Sequence, residues 1–236
     1  ASTPALVGGG RKAAPGEISL AHNGVLFLDE LPEFSRTALE ALRQPLENGY
    51  ITISRVNAHT VYPAKFQLIA AMNPCRCGNL GNPALECSRA PKCAEEYQSR
   101  LSGPLLDRID IHIEVPAVSP WEMAAVKTGE SSAAIRERVI RAREIQKQRF
   151  IELDEPQLST NAQLRGRLLE EVTRLDKDAE ELLINFAHKN QLSARAYHRT
   201  LRLARTIADL QSSVNVLKIH IAEALSYRRK LPAKTI

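Results

Sequence analysis

The segment Gly24–Glu30 (GVLFLDE) constrains the fold more than any other part of the chain. Its four consecutive apolar residues lie between turn signals, which predicts a strand buried on both faces, as in a parallel sheet. The strand ends on two carboxylates. Because ligands of open α/β sheets bind beyond the carboxyl ends of the strands, we expect Asp29 and Glu30 to lie where phosphates and a hard cation collect.

An apolar run followed by Asp-Glu is the Walker B pattern of nucleotide hydrolases. In that pattern Asp29 holds Mg²⁺, partly through water, and Glu30 polarises the attacking water. The alternative is an ordinary strand end, because the same pattern arises by chance in many α/β proteins. The choice between the two depends on whether partner residues occur downstream.

The composition is that of an ordinary globular protein, with 44% hydrophobic and 25% charged residues in a chain of 236. No apolar run reaches the roughly 18–20 residues of a membrane span, and no secretory leader opens the chain, so we expect a cytoplasmic protein with no membrane partner.

The excess of basic over acidic residues lies in the second half of the chain. Residues 1–116 carry 11 Lys or Arg against 12 Asp or Glu, and residues 117–236 carry 21 against 15. This distribution permits a polyanionic partner but does not require one.

A helix and a hairpin are predicted after the Asp-Glu pair. Ser35 can cap a helix that runs to Asn48, and Gly49 stops it. Two β-branched and aromatic segments follow, at residues 50–55 and 59–62, with a short break between them. This pattern predicts an antiparallel hairpin.

A second buried strand is predicted at Phe66–Met72, and it is followed by Asn73. This strand delivers the Asn73 amide to the same carboxyl rim as Asp29. A further strand is predicted at Ile111–Val115. Arg108 precedes this strand, and its simplest interpretation is a surface ion pair with Asp107 or Asp110.

The four cysteines of the chain lie close together, as Cys75-x-Cys77, nine residues, Cys87, five residues and Cys93. Thiolates are preferred ligands of zinc, and four of them close a tetrahedral shell, which predicts a structural zinc site. The alternative is four reduced thiols, because Cys-x-Cys is less typical than Cys-x-x-Cys and the second pair is widely spaced.

Beyond Pro116 the pattern becomes helical, with predicted helices at residues 132–149, 177–189, 193–210 and 216–229. In the third of these, Arg195, Arg199 and Arg202 fall on one face, opposite an apolar side. A basic stripe at the start of a helix suits an anion. The alternative is a solvated arginine face.

Taken in order, these motifs resemble those of the magnesium-chelatase-like AAA+ proteins of the ComM/YifB type. Asn73 looks like sensor 1 of that family, Leu105–Arg108 resembles its arginine-finger segment, and Arg195 looks like sensor 2. The segment Tyr50–Lys65 resembles the hairpin that precedes sensor 1. The resemblance covers nearly all of the chain and also includes the longer phrases Pro15–Glu33, Leu101–Val115 and Ala204–Leu210.

The resemblance implies an α/β fold in two parts. Residues 1–116 correspond to the C-terminal part of an AAA+ core, a parallel sheet with a β-hairpin insertion. Residues 117–236 correspond to a helical lid. It also implies ATP and Mg²⁺ as cofactors, and a homo-oligomeric ring, expected to be a hexamer, because each nucleotide lies between two subunits.

The resemblance further implies a role for each site residue. Asp29 orients Mg²⁺ on the nucleotide, Glu30 acts as the base or orients the attacking water, and Asn73 positions that water or contacts the γ-phosphate. Arg108 reaches the nucleotide of the neighbouring subunit, and Arg195 bridges lid and phosphate.

The function implied by the ComM type is an ATP-driven motor acting on DNA, which aids branch migration in recombination during natural transformation. The hairpin then points into the ring's pore, with Arg55, His59 and Lys65 as candidate phosphate contacts. The alternative for these three is a hairpin with solvated basic residues. Two other functions stay open: a chelatase-type motor that remodels a protein partner, and a non-catalytic assembly module.

One part of the family pattern is missing, because the sequence contains no Gly-x-x-x-x-Gly-Lys-Ser/Thr loop. The chain begins at Ala1 without an initiator Met, which favours a fragment. We therefore expect ATP hydrolysis from the whole protein and not from this chain alone. The spacing between Cys87 and Cys93 is also wider than is usual in ComM-type proteins.

Overall fold

The computed structural model describes residues 2–10, 13–55, 58–80, 85–118, 121, 124 and 129–228, without the side chains of residues 55 and 58. The chain forms two compact units, Ala1–Ile109 (unit 1) and Asp110–Ile236 (unit 2). The sequence places the boundary after residue 116, slightly later. No helix in the described ranges has the length and apolar character that crossing a bilayer requires.

Unit 1 is a mixed α/β unit with short strands. Its elements are α1 (Thr3–Val7), β1 (Gly8–Gly9), β2 (Ala14–Pro15), α2 (Glu17–Leu20), β3 (Val25–Leu28), α3 (Arg36–Ala41), α4 (Arg43–Asn48), β4 (Tyr50–Arg55), β5 (Ala58–Pro63), β6 (Gln67–Ala70), α5 (Lys92–Gln98) and α6 (Gly103–Leu106). Strands β3 and β6 pair in parallel, while β1 pairs with β2 and β4 with β5 in antiparallel fashion.

Strand β3 is buried on one face only, so the prediction of burial on both faces is wrong for this chain. Leu26 and Leu28 enter the core, whereas Val25 and Phe27 are 54% and 59% exposed. The side chains of a strand alternate between the two faces of its sheet. One face of the β3–β6 pair therefore packs on unit 1, and the other carries apolar side chains that no described residue covers.

The helix predicted from Ser35 to Asn48 is divided at Leu42 into α3 and α4. Pro45 has no N–H to donate to the carbonyl four residues earlier, which interrupts the hydrogen-bond ladder at this point. The cap is as predicted, because the Ser35 hydroxyl accepts a bond from the Ala38 N–H at 3.2 Å. Gly49 ends α4 in the left-handed conformation, with φ of 75°.

The hairpin expected after α4 is present, with β4 and β5 in register from Tyr50–Pro63 to Arg55–Ala58. The strand predicted at Ile111–Val115 is wrong, because this segment joins no ladder in the described part of the chain. Its apolar side chains lack a sheet to pack on, and Ile113 is 69% exposed. A strand requires a partner, which local sequence cannot supply.

Unit 2 is helical. Within its described residues, the helices longer than one turn are α7 (Ser132–Glu152), α8 (Gly166–Val172), α9 (Lys177–Lys189), α10 (Ala194–Leu210) and α11 (Lys218–Ser226). The long helix α10 packs against α7, α8 and α11. Its apolar face, including Leu201, Ala204 and Ala208, is buried in a core with Phe150 and Ile221. Four of these helices agree with those expected from the apolar periodicity, whereas α8 was not predicted.

A buried polar network joins α7 to α10 inside this core. The Asp209 carboxylate is fully buried and pairs with Arg149 and with Arg205, whose side chain is 2% exposed. The Asn161 amide also donates to Asp209, at 2.7 Å. One carboxylate thus compensates two guanidinium groups between these helices.

Candidate functional site

The carboxyl ends of β3 and β6 form one rim, because the parallel register pairs Leu28 with Ala70, the last residue of each strand. The pairing continues beyond the strands: the Ala71 N–H donates to the Leu28 carbonyl at 2.9 Å. Asp29 and Glu30 leave the sheet at this rim, and Asn73 follows it from the neighbouring strand. All three are exposed. Two acids and an amide from adjacent strands therefore emerge at the same edge of unit 1.

Glu30 adopts a left-handed backbone conformation, with φ of 49° and ψ of 46°. This conformation is uncommon for a residue with a side chain, and it concentrates at functional sites. The Glu30 N–H donates to Asp29 Oδ1 at 2.8 Å, which orients the Asp29 carboxylate. Carboxylate and amide oxygens are the ligands that Mg²⁺ prefers, so the donor set at this rim fits that cation.

Arg108 is held inside unit 1 and is not a surface side chain, since it is only 7% exposed. Its partner is Glu47 of α4: Nε donates to Glu47 Oε2 at 3.1 Å, and Nη2 binds the same oxygen. Its Nη1 also donates to the Pro104 carbonyl, at 2.6 Å. The alternative expected from the sequence, a surface ion pair, is therefore wrong, because Arg108 is buried and its pair with Glu47 is only partly exposed. No sequence spacing pointed to Glu47 as the partner, because it lies 61 residues before Arg108 in the chain.

An open groove of about 440 Å³ runs along α4 beside this ion pair. It is lined by Glu40, Arg43, Gln44, Glu47, Asn48 and Arg108. A polyanion entering the groove meets two guanidinium groups as well as two carboxylates. Arg108 is therefore positioned by Glu47 at the wall of a polar groove.

The three arginines of the predicted stripe differ in environment. Arg195 is exposed in the first turn of α10. Arg199 is 12% exposed and its Nη1 donates to Asp110 at 2.5 Å. Arg202 donates to the Leu164 carbonyl at 3.1 Å, and burial, followed by the positive charge of Arg199, lowers its pKa to about 10. The solvated-face alternative is therefore wrong for Arg199 and Arg202.

His59 and Lys65 lie at opposite ends of the hairpin strand β5. His59 is exposed near the turn, with its Nδ1 at 2.9 Å from the Ser54 hydroxyl. Lys65 is exposed beyond the other end of β5, and its backbone N–H donates to His22 Nδ1 at 3.1 Å. The side chain of Arg55 lies outside the described residues.

The cysteines converge on one cluster. The Sγ atoms of Cys75, Cys77 and Cys93 lie within 4.8 Å of one another, and Cys87 Sγ lies 3.2 Å from Cys93 Sγ. All four are free thiols. Zn–S bonds of about 2.3 Å in a tetrahedron place sulfurs about 3.8 Å apart, so the spacing of the Cys75, Cys77 and Cys93 sulfurs is close to that of zinc ligands.

The thiols of this cluster share hydrogen bonds, and their pKa values separate. Bonds from the Asn79 backbone and the Cys75 thiol lower the pKa of Cys77 to about 7. The bond to Cys87, together with burial, raises the pKa of Cys93 to about 12. Sulfurs packed this closely compete for negative charge, which a divalent cation relieves.

Comparison with known proteins identifies the class. Residues 1–123 match the family described as magnesium chelatase, subunit ChlI, and residues 129–228 match its C-terminal domain. The chain belongs to the magnesium-chelatase-like family, and its relatives place it with the ComM/YifB type. The first match ends at residue 123 and the second begins at residue 129.

Two relatives support this placement, and a third is more distant. Competence protein ComM of Haemophilus influenzae is 50% identical, over 97% of this chain and 43% of its own length. The uncharacterized protein YifB of Salmonella typhimurium is 46% identical, over 97% of this chain and 44% of its own. Magnesium-chelatase subunit ChlI of Bigelowiella natans is 25% identical, over 48% of this chain and 25% of its own. The chain thus spans less than half the length of the ComM and YifB relatives.

Proposed function

We propose that this chain supplies the hydrolytic rim and the lid of an ATPase. The observation that carries the proposal is the register of β3 with β6, which delivers Asp29, Glu30 and Asn73 to one edge. Two acids and an amide at the carboxyl edge of a parallel sheet are what nucleotide hydrolysis requires of this part of a fold. The family membership supports the same conclusion, because magnesium-chelatase-like proteins are related to AAA+ ATPases.

In this proposal Mg²⁺, when bound with ATP, neutralises the phosphates and draws charge from the bond that breaks. Asp29 holds the cation through its carboxylate, which the Glu30 N–H already orients. Glu30 takes the proton of the attacking water, and Asn73 orients that water through its amide. Sequence resemblance assigns Arg195 to the nucleotide from the lid.

Arg108 is proposed to act on the nucleotide of a neighbouring subunit, in a homo-oligomeric ring that we expect to be hexameric. Its guanidinium is bound to Glu47 within its own subunit. Arg108 must therefore either exchange Glu47 for a phosphate or keep Glu47 as an orienting partner at the subunit interface. An arginine supplied in this way stabilises the charge that develops in the transition state.

The test of the hydrolytic assignment is Glu30→Gln in the whole protein. Loss of a positioned base lowers kcat by roughly 10²–10⁴-fold, while binding of a fluorescent ATP analogue is retained. The matched control is Glu33→Gln, an exposed acid nearby whose partner is Arg100 at 3.2 Å. Hydrolysis at the wild-type rate in Glu30→Gln, with the protein folded, removes the Walker B assignment.

For the substrate of the motor we propose DNA. The support is the name of the 50% identical relative, a competence protein, together with the basic excess of the second half of the chain. His59, Lys65 and Arg55 remain candidate contacts of the hairpin. The rival is a motor that remodels a protein partner, as the name of the more distant ChlI relative indicates. A non-catalytic assembly module is the third possibility.

Binding of the whole protein to branched DNA over a salt series separates these functions. A DNA motor loses affinity linearly in log salt, with a slope of about −0.9 for each phosphate neutralised. Lys65→Gln should reduce the slope by about one, whereas Lys189→Gln, at the end of α9, should not. No binding, or a flat salt response, favours the protein-remodelling rival.

We further propose that the cysteine cluster holds a structural Zn²⁺. The support is the convergence of three Sγ atoms within 4.8 Å and the contact of the fourth with Cys93. When bound, zinc ties the loop that follows β6 to α5. Elemental analysis of the purified chain should find one zinc per chain, and Cys93→Ser should lose it. A folded chain without metal contradicts the assignment.

A further inference from the structure

Unit 2 contains a cluster of arginines that neither helix packing nor the sensor 2 assignment explains. Arg199 and Arg202 are three residues apart on α10, so their side chains share one face. Arg202 Nη1 donates to the Leu164 carbonyl at 3.1 Å. This bond brings the start of α8, and with it the exposed side chain of Arg165, beside Arg202.

A fourth guanidinium reaches the same helix from the end of α11. Arg228 Nη2 donates to the Ala196 carbonyl at 3.0 Å, and its Nε lies 3.5 Å from the Thr200 hydroxyl. Ala196 and Thr200 both lie within one turn of Arg199 in α10. We call Arg165, Arg199, Arg202 and Arg228 the arginine site.

Positive charge exceeds negative charge among three residues of the arginine site, Arg165, Arg199 and Arg202. The one acidic partner in their described ion pairs is Asp110, which pairs with Arg199 at 2.5 Å. Burial and the neighbouring guanidiniums of Arg199, Arg165 and Arg228 lower the pKa of Arg202 to about 10. Like charges are thus held together at a cost that one carboxylate does not offset. By contrast, the two guanidiniums beside Asp209 share a carboxylate that is fully buried between them.

A buried donor of this site also lacks an acceptor. The Nε atom of Arg199 is buried and, in the described structure, has no hydrogen-bond partner. Buried polar groups are nearly always paired, so an orphaned donor requires an explanation, for instance a ligand that is bound in the functional state.

We propose that the arginine site binds a phosphate group. The planar guanidinium fork matches the geometry of phosphate oxygens, and several such groups together neutralise its charge. Asp110 orients Arg199 through Nη1, which leaves Nε–H as a donor to the ligand. The phosphate is either a terminal phosphate of a nucleotide or a backbone phosphate of a nucleic acid. The site excludes Arg195 and does not rest on the proposed ATPase.

The first test follows the orphaned donor by NMR. In the ¹H–¹⁵N spectrum of this chain, the Nε–H signal of Arg199 is identified by its loss in Arg199→Lys. Titration with inorganic pyrophosphate at low ionic strength should shift this signal in a saturable manner. No saturable shift overturns the proposal, and because the experiment uses the unaltered chain, it does not depend on whether a variant folds.

The second test uses Arg165→Gln, a change at an exposed position that circular dichroism can verify as folded. Loss of one charge-assisted contact should weaken pyrophosphate binding by roughly tenfold or more. The matched control is Arg141→Gln, an exposed arginine of α7, which should bind as the wild type does. Equal weakening in both variants indicates general charge attraction and contradicts a built site.

The source of the phosphate is resolved with a fluorescent single-stranded oligonucleotide. If Arg165→Gln weakens oligonucleotide binding and reduces the salt slope by about one, the ligand is a nucleic-acid backbone. If it weakens binding of pyrophosphate and ADP but not of the oligonucleotide, the ligand is a nucleotide. If it weakens neither, the proposal is wrong. None of these outcomes depends on the effect of Glu30→Gln on hydrolysis.

Discussion

Replacement of Asp209 by Asn should destabilise unit 2 more than any surface change, because this carboxylate compensates two buried charges. Its side chain is fully buried, and it pairs with Arg205, which is 2% exposed, and with Arg149, which is 18% exposed. Asn keeps the shape but removes the charge. It also turns an N–H donor toward groups that are themselves donors, including the Asn161 amide at 2.7 Å.

The expected magnitude follows from the burial of the partners. Removing one member of a buried pair costs about 3–5 kcal/mol, since the remaining charge is left uncompensated. Arg149 retains some contact with water, so we expect the lower part of that range. With a urea m-value of about 2 kcal/mol per molar, the midpoint should fall by about 1.5–2 M.

The assay is urea unfolding followed by far-UV circular dichroism, which reports mainly on the helices of unit 2. The matched control is Asp178→Asn, an acid of α9 that is 73% exposed and lies 4.0 Å from the Lys218 Nζ. Its midpoint should stay within about 0.3 M of the wild type, as is usual for surface pairs. A loss in Asp209→Asn as small as that of the control refutes the reasoning.

Three further predictions concern stability and metal. Glu47→Gln should lower the free energy of unfolding of unit 1 by about 1–2 kcal/mol in urea titrations, less than for a fully buried pair because Glu47 is 39% exposed; an unchanged midpoint contradicts the assigned pair. Chelation of zinc should lower the melting temperature of the chain, and should have no effect on Cys93→Ser, as differential scanning fluorimetry will measure. Burial lowers the pKa of His220, so the unfolded state binds the proton first, and stability should fall as the pH drops below the ordinary His value of 6.5. Urea midpoints between neutral and mildly acidic pH should show this loss, and His220→Gln should reduce it.

Local signals in the sequence predicted the helices of unit 2 well. A helix was expected at residues 193–210, and α10 begins there: the Ser193 hydroxyl caps it by accepting a bond from the Ala196 N–H at 3.1 Å. A cap and a repeating apolar face are both local properties, and so they can be read from neighbouring residues. A strand at Phe66–Met72 that ends at the same rim as the Asp29 strand was also expected, because both runs are short, apolar and followed by polar residues.

Ion pairs between distant segments could not be predicted in this way. Arg108, which follows α6, contacts Glu47 of α4 across a separation of 61 residues, and no spacing in the sequence encodes that contact. The buried pair of Arg205 and Asp209 did leave a signal. Both residues fall on the apolar face of α10 at an i, i+4 spacing, and charged residues on a buried face are almost always paired.

Exposure of the outer face of β3 and β6 leads to a last prediction. Four apolar residues in a row are typical of a strand covered on both faces, yet Phe27 and its register partner Ile69 are 59% and 45% exposed. The ComM and YifB relatives are more than twice as long as this chain, so we expect the remainder of the whole protein to cover this face.

Phe27→Ser should therefore have little effect on the stability of this chain, where the ring is already in contact with water. In the whole protein the same change should cost about 2–4 kcal/mol, because it then removes a buried aromatic side chain. Leu28→Ala is the control, since Leu28 is 5% exposed and should cost about the same in both. The measurement is the urea midpoint of Phe27→Ser and of Leu28→Ala, each in this chain and in the whole protein. An equal cost of Phe27→Ser in the two contexts means that this face stays open to water, and the two-sided apolar pattern then has another cause.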